Sequence, residues 1–310
     1  MLNDVINGWF IIDKPQGISS AAAVNKLKRF IKPSKIGHTG TLDPFASGIL
    51  IAAIGEATKL IDYVMDQEKT YEFSIKWGVS TDTLDLTGSV TQTSAVIPTI
   101  AEITACIEEF KHNSIIKQQP PRYSALHING KRAYEMARAG QEFSLIEREV
   151  FLGGIRLVNH VNDATTFEVS CGKGFYVRSL ARDIANKLRA CGHVSYLRRI
   201  KIGKFTQFDS IKLDYLLQLV HNACQLEMLF DFLQPVNALL DDILVLHINE
   251  QEIRALRQGK RIQVKNLNYR EGQRLVVCDI TVEKVIAVCI FQDSELIPKR
   301  LINDYRLKLK

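Results

Sequence analysis

The sequence predicts an α+β protein that ends in a small, mostly-β module, and three observations carry that reading. Tyr71, Phe73, Ile75, Trp77 and Val79 alternate with Glu72, Ser74 and Lys76, the two-residue period of a strand with one buried face. Helix signals recur between such runs: Ser19 or Ser20 precedes a helix reaching Phe30, and Gly140 closes one over residues 132–139. Beyond a break at residues 233–243, marked by Pro235 and Asp241-Asp242, Asn249 and Glu252 form a capping box for a short helix ending at Gly259. Three or four short strands account for the rest of that module.

Taken in order, residues 9–13 read as an apolar strand, ended by the turn residues Lys14-Pro15-Gln16-Gly17. Residues 35–48 are rich in Gly, Thr, Ser and Pro and read as a loop. A buried strand over 49–54 and a helix over 56–66 follow. Residues 102–110 read as a helix, and residues 112–123, with Gln118-Gln119-Pro120-Pro121, as irregular chain. Strands over 150–158 and 166–171 lead through Gly172-Lys173-Gly174 into a helix ending near Arg189, and a strand pair spans 196–208.

With 310 residues the chain has room for about two domains and a substantial core. A hydrophobic share of 46% and a charged share of 24% are those of an ordinary folded protein. Apolar stretches such as residues 48–55 fall far short of the roughly 18 residues that span a bilayer, and the N-terminus lacks a signal-peptide layout. The reading is a cytoplasmic protein without a membrane partner. The six cysteines (Cys106, Cys171, Cys191, Cys224, Cys278, Cys289) form no C-x-x-C pair and have no zinc spacing to histidine, which marks them as reduced core thiols rather than metal ligands.

The net charge of +6 is modest but unevenly spread. Residues 14–35 carry six basic side chains and no acidic one; residues 171–212 carry ten basic against Asp183 and Asp209; residues 213–253 carry seven acidic and no Lys or Arg. Any one run fits a solvated helix face. Two basic runs interleaved with glycines and aromatics point to a polyanion, and nucleic acid in particular.

Gly37-His38-Thr39-Gly40-Thr41-Leu42-Asp43-Pro44 places a histidine, hydroxyls and a carboxylate on a glycine-hinged loop. Asp43 before Pro44 equally suits a helix N-cap, and His38 a hydrogen-bonded loop residue. Arg178 closes the run Gly172-Lys173-Gly174-Phe175-Tyr176-Val177-Arg178, where the glycines allow close backbone approach and Tyr176 offers an aromatic face. Arg178 alone would pass for a surface arginine, and Tyr71 alone for core packing.

Together these segments resemble the TruB family of tRNA pseudouridine-55 synthases, in order and across nearly the whole chain. The matching motifs are Asp13-Lys14-Pro15-Gln16-Gly17-Ile18-Ser19-Ser20, the Gly37 to Pro44 loop, Gly55-Glu56-Ala57-Thr58-Lys59, Lys69-Thr70-Tyr71, Thr81-Asp82-Thr83, Pro121 with Tyr123-Ser124-Ala125-Leu126, the Gly172 to Ser179 run, and Tyr196-Leu197-Arg198-Arg199. Two positions depart: His127 stands where many relatives have lysine, and Leu84 where a polar residue is usual.

The resemblance implies a pseudouridine synthase fold with a mixed, largely antiparallel central sheet over residues 1–240, an RNA-closing insertion at about 112–145, and a PUA-like RNA-binding module at 243–310. It implies an isomerase that detaches uracil, turns it and rejoins it through carbon, without metal or cofactor. Asp43 falls on the family's nucleophile, either adding to C6 of the ring or acting at C1′ and allowing elimination to a glycal. Arg178 would pair with it and keep it ionised and oriented; Tyr71 would stack on the base and shuttle a proton; Tyr176 and Leu197 would line the uracil pocket. The target base would be flipped out, with His38 filling the space it leaves. Lys14, Lys131, Arg132, Lys173 and Arg198 would hold phosphates of the tRNA T-arm. The chain would act as a monomer without guide RNA. The competing readings are an RNA chaperone without chemistry, a guide-dependent relative, and a glycosidase-like hydrolase, for which no second carboxylate is evident.

Overall fold

The computed structural model describes residues 6–128, 130–221, 226–240, 244–264, 269–282 and 284–303. Cys224 and the expected boundary residues Asp241, Asp242 and Ile243 lie outside the described residues. In chain order the elements begin β1 (Gly8–Lys14), α1 (Ser20–Ile31), β2 (Ile36–His38), β3 (Ser47–Ile54), α2 (Ile61–Val64), β4 (Lys69–Trp77), β5 (Val79–Thr81) and β6 (Val90–Thr93). Then come α3 (Ile100–Glu108), β7 (Ser114–Gln118), β8 (His127–Ile128), β9 (Lys131–Arg132), α4 (Ala133–Arg138), β10 (Arg148–Val161), β11 (Ala164–Cys171), α5 (Val177–Lys187), β12 (Gly192–Ile202) and β13 (Phe205–Thr206). The described chain ends with β14 (Ile211–Lys212), α6 (Leu213–His221), α7 (Leu226–Asp231), β15 (Leu233–Gln234), β16 (Val245–Ile248), α8 (Glu250–Arg257), β17 (Ile262–Gln263), β18 (Arg274–Asp279), β19 (Val285–Gln292) and β20 (Glu295–Leu301).

Two compact units divide these elements: one takes the described residues up to Leu42, Leu50–Gln67 and those from Phe208 on; the other takes Asp43–Ile49 and Glu68–Gln207. In the second unit β12 runs parallel to the start of β3 (Arg198 beside Ser47) and antiparallel to β4. The pairs β4–β11, β11–β10 and β10–β7 are all antiparallel. This is the mixed, largely antiparallel sheet that the resemblance implied. The alternation in β4 does what the sequence predicts: Phe73, Ile75 and Trp77 are buried, and Phe73 stacks on Phe167 of β11 with ring centroids 5.3 Å apart. Each such buried side chain stabilises the fold by roughly 1.5–3 kcal/mol. Tyr71, two residues before Phe73, shares its face of the strand.

In the first unit Ser19 caps α1 by accepting from the Ala22 N–H, and Phe10, Ile12, Leu27, Leu50, Ile54 and Leu216 pack into one core. Its five-stranded sheet, ordered β16-β18-β19-β20-β17, has a separate core around Leu256, Leu275, Val277 and Leu296. The capping box of Asn249 and Glu252 on α8 forms as read from the sequence. The described residues from Leu244 on therefore contain a curled β layer of their own, while grouping with the N-terminal segments in one unit. The Gly55 to Lys59 motif ties to it: Lys59 Nζ donates to the Leu301 carbonyl (2.8 Å) and Glu56 accepts from the Asn303 N–H (2.6 Å).

Three expectations are corrected. Residues 56–66 form a 3-10 turn (Gly55–Leu60) and a single α turn, because Gly55 sits at φ +58° against Asn7 and Ile6, and Thr58 Oγ1 bonds back to the Gly55 carbonyl. Residues 112–123 are not all irregular: Ser114–Gln118 is a strand paired to β10, hidden from periodicity because Ile115 stays 60% exposed. Lys14 is fully buried, its Nζ donating to the Pro15 and Ile18 carbonyls, so it stitches the turn after β1 and is not placed to meet a phosphate.

Candidate active site

Asp43 lies in a tight turn rather than at a helix N-cap: Pro44 follows it, the Ala46 N–H donates to its carbonyl (3.1 Å), and β3 starts at Ser47. Just ahead of it, Ser20 Oγ bonds both the N–H (2.7 Å) and the carbonyl of Leu42. The second serine of the Ser19-Ser20 pair thus fixes the loop, while the first caps α1.

The turn offers the Asp43 carboxylate to Arg178 as a bidentate pair, Nε to Oδ2 at 2.8 Å and Nη2 to Oδ1 at 3.1 Å. Arg178 is buried (4% exposed) in the first turn of α5, and every N–H of its guanidinium is engaged. Nη1 donates to the Thr83 carbonyl (2.8 Å) and faces Asp85 Oδ2 (3.3 Å); Nη2 also donates to the Tyr123 carbonyl (2.9 Å). A guanidinium held at so many points has one orientation, and it imposes that orientation on Asp43. Asp43 keeps 32% of its side chain exposed.

Asp85 escaped the sequence reading. It is a buried carboxylate whose Oδ1 accepts from Thr83 Oγ1 (2.7 Å), the Thr87 N–H (2.9 Å) and Thr87 Oγ1 (2.6 Å), leaving Oδ2 to balance Arg178. The signal was its place in Thr81-Asp82-Thr83-Leu84-Asp85, a polar cluster with a leucine at φ +62°. As a second carboxylate it does not make a hydrolase: its oxygens are committed to the hydroxyls and the arginine, not turned out toward a leaving group.

Tyr71 sits opposite Arg199 in the β4–β12 register. Its hydroxyl accepts from Arg199 Nη1 at 3.4 Å, and the Arg199 guanidinium lies over its ring at 5.9 Å. Arg199 is itself buried and anchored by Nε to the Ile49 carbonyl (2.7 Å). Gly48 makes this approach possible: at φ +101° a Cβ there would lie 2.2 Å from the Arg199 carbonyl. Burial pushes the Tyr71 hydroxyl above its ordinary value; Arg199 opposes and the Asp43 carboxylate adds to the shift, so Tyr71 keeps its proton in the field of Asp43.

Of the other candidates, Leu197 is buried on β12 opposite Phe73, and Tyr176 is the residue at the N-cap of α5. Arg198 is half-buried, bonding Gln207 Oε1 (3.1 Å) and Ser47 Oγ (3.4 Å), which steadies the strand start after the Asp43 turn. Lys131 and Arg132 are exposed on the β8–β9 hairpin, and Lys173 is exposed ahead of α5. His38 lies on β2 in the first unit, paired with Ala52 and accepting from the Gly40 N–H at Nδ1 (3.4 Å). Among the described residues no group of three or more His, Cys, Asp and Glu side chains could hold a metal ion, and no helix is long and apolar enough to cross a membrane. Cys106, Cys171, Cys191, Cys278 and Cys289 are buried thiols, and burial pushes Cys171 up to about 12.

The sequence profile of the TruB family pseudouridylate synthase N-terminal domain matches residues 28–177, and that of the tRNA pseudouridylate synthase B C-terminal domain matches residues 178–241. The chain is 40% identical to tRNA pseudouridine synthase B of Caulobacter sp. (strain K31), covering 97% of each. It is 41% identical to that of Bradyrhizobium diazoefficiens, covering 96% of this chain and 86% of the relative. In fold it is similar to a solved Cbf5-Nop10-Gar1 complex, with TM-score 0.75 at 21% identity over 95% of this chain and 84% of the other. An H/ACA RNP bound to a substrate RNA containing 2′-deoxyuridine gives TM-score 0.74 at 19% identity over 96% and 86%.

Proposed function

The chain belongs to the TruB family of pseudouridylate synthases, and from that premise we propose that it isomerises uridine 55 in the T-loop of tRNA to pseudouridine, with Asp43 as the nucleophile. The observation that carries this reading is the bidentate Arg178–Asp43 pair: a carboxylate aimed by a buried, fully engaged guanidinium while a third of it stays accessible. A nucleophile of this kind needs orientation more than activation.

The uridine leaves its stack to reach Asp43, at a cost of a few kcal/mol. Asp43 adds to C6 of the uracil, or acts at C1′ and allows elimination to a glycal; in either route the C1′–N1 bond breaks, the ring turns, a C1′–C5 bond forms, whatever bond or proton Asp43 has taken is given back, and C5 gives up its proton to a base while N1 ends up carrying one. Tyr71 packs on the base, and because burial keeps its hydroxyl protonated it serves as a donor in the proton transfers rather than as a phenolate. Tyr176 and Leu197 line the uracil, and His38 occupies the space it vacates. No cofactor is required, because the reaction is an internal rearrangement.

Lys131, Arg132, Lys173 and Arg198 meet phosphates of the T-arm, with the insertion at about residues 112–145, which carries the β8–β9 hairpin and α4, closing over the RNA. Residues 243–310 act as a PUA-like RNA-binding module. The protein works in the cytoplasm as a monomer and without a guide RNA.

The test is an unmodified tRNA transcript carrying tritium at uracil C5, incubated with the purified protein and with Asp43→Asn. Release by the wild type, none by the variant, and comparable tRNA binding by both is the expected result. If both bind and neither releases label, the protein is a chaperone or needs a guide; if Asp43→Asn releases label, Asp43 is not the nucleophile.

A further inference from the structure

The first turn of α5 carries more polar machinery than the Asp43–Arg178 pair uses. Gln118, the last residue of β7, is 2% exposed, and its Oε1 accepts the N–H of Tyr176 (2.8 Å), the residue at the N-cap of α5. The partner fixes which way the amide faces, since a backbone N–H can only be accepted by the oxygen. Nε2, on the same carbon, is buried and has no hydrogen-bond partner among the described residues. Two unpaired N–H bonds are thereby held at the N-terminus of an eleven-residue helix that has no side-chain cap. A buried donor left unmatched is expensive, and native proteins keep few.

The same turn is laced to the chain leaving β7 by Ser179 Oγ to the Gln119 carbonyl (2.7 Å), Arg182 Nη2 to that carbonyl (3.2 Å) and Arg178 Nη2 to the Tyr123 carbonyl (2.9 Å). With so many ties already holding the helix in place, a latch on Tyr176 would need only an oxygen. Gln118 supplies a donor as well, held at Tyr176, which lies two residues before Arg178.

We propose that Gln118 contacts the substrate: its carboxamide N–H bonds donate to an acceptor oxygen of the RNA lying against the first turn of α5, beside the Asp43–Arg178 pair. This rests on the reading of that pair as the reacting site. The acceptor is an uncharged base carbonyl or a phosphate oxygen, both of which a flipped nucleotide brings to a helix N-terminus.

Two variants separate contact from scaffolding. Gln118→Glu keeps an oxygen for the Tyr176 N–H and deletes the donor; Gln118→Met deletes both at similar volume. Single-turnover label release is expected to fall about 10- to 100-fold in both, the loss that follows when a buried polar contact goes unmatched, with tRNA binding within a few-fold of wild type. Lowering the pH should return rate to Gln118→Glu relative to wild type, because a protonated carboxyl can donate again, and should not help Gln118→Met. Wild-type rates for Gln118→Glu at neutral pH would overturn the proposal and leave a structural latch; this holds even if Gln118→Met fails to fold.

The source of the oxygen is read from substrates with 4-thiouridine or 2-thiouridine at the target, or a methylphosphonate beside it. The substitution that slows wild type but adds nothing to Gln118→Glu identifies the acceptor. If none of them couples, the contact does not exist. Asp43→Asn run in parallel keeps the two readings apart: an inactive Asp43→Asn with a fully active Gln118→Glu removes only the present proposal, whereas an active Asp43→Asn removes the site reading and this proposal with it.

Discussion

The second unit holds two kinds of cation. Arg178 and Arg199 are buried at 4% and 1% exposure, set on regular elements, and tied to carboxylates, carbonyls and a tyrosine. Lys131, Arg132 and Lys173 stand exposed on a short hairpin and a glycine-flanked loop. A buried guanidinium must have its N–H bonds matched, so its position is over-determined and it can aim another group. An exposed ammonium or guanidinium in water is held weakly, and its attraction to a polyanion depends on salt. One set fixes geometry and the other supplies affinity, and substitutions in the two should therefore fail in different ways.

The sharpest way to break the comparison is Arg178→Lys. Lysine keeps the charge but not the fork, so at most one of the two bonds to Asp43 survives, and the Thr83 and Tyr123 carbonyls and Asp85 compete for what is left. Label release should fall about 100-fold or more, as it does when a reacting group is misplaced by an ångström, with little change in tRNA binding. A lysine variant within about threefold of wild type would mean that charge alone suffices at this position.

A smaller and opposite response is expected from Lys131→Ala with Arg132→Ala. Removing two phosphate contacts should weaken tRNA binding and flatten its dependence on salt by a slope of roughly 0.7–0.9 per contact, with the rate at saturating tRNA unchanged. A lower saturated rate with an unaltered salt slope would show that the hairpin orders the site rather than holding phosphates.

The same contrast explains what the sequence could and could not convey. Asp43, Tyr71 and Arg178 were legible only through the family resemblance of their motifs, since each alone reads as an N-cap, core packing or a surface arginine; the structure pairs Arg178 with Asp43 and sets Tyr71 in phase with buried Phe73. Asp85 was not, since its meaning comes from Arg178, which is far along the chain. Lys14 misled for the reverse reason: in a basic run it reads as a surface cation, but the turn after β1 needs a donor for the Pro15 and Ile18 carbonyls, and the lysine folds inward to provide it. Strand β7 was missed because an edge strand with Ile115 exposed has no clean alternation. Periodicity reports burial faithfully and long-range pairing hardly at all.

The mildest test concerns the backbone that serves the buried set. Leu84 sits at φ +62° between Thr83, whose carbonyl accepts from Arg178, and Asp85, whose carboxylate faces it. A leucine in that region is strained, and the turn is held by the Leu84 N–H to the Thr81 carbonyl (3.1 Å) and by the Val194 N–H to the Leu84 carbonyl (3.0 Å). Asparagine tolerates this conformation far better. Leu84→Asn should therefore stabilise the protein by about 1 kcal/mol, the size of the left-handed penalty, in urea unfolding. Because the turn already has the geometry that positions Arg178, label release should not change. A stabilised variant with a slower reaction would instead show that the strain at Leu84 is part of how the arginine is aimed, and would place the exposed face of this turn with the functional cations rather than beneath them.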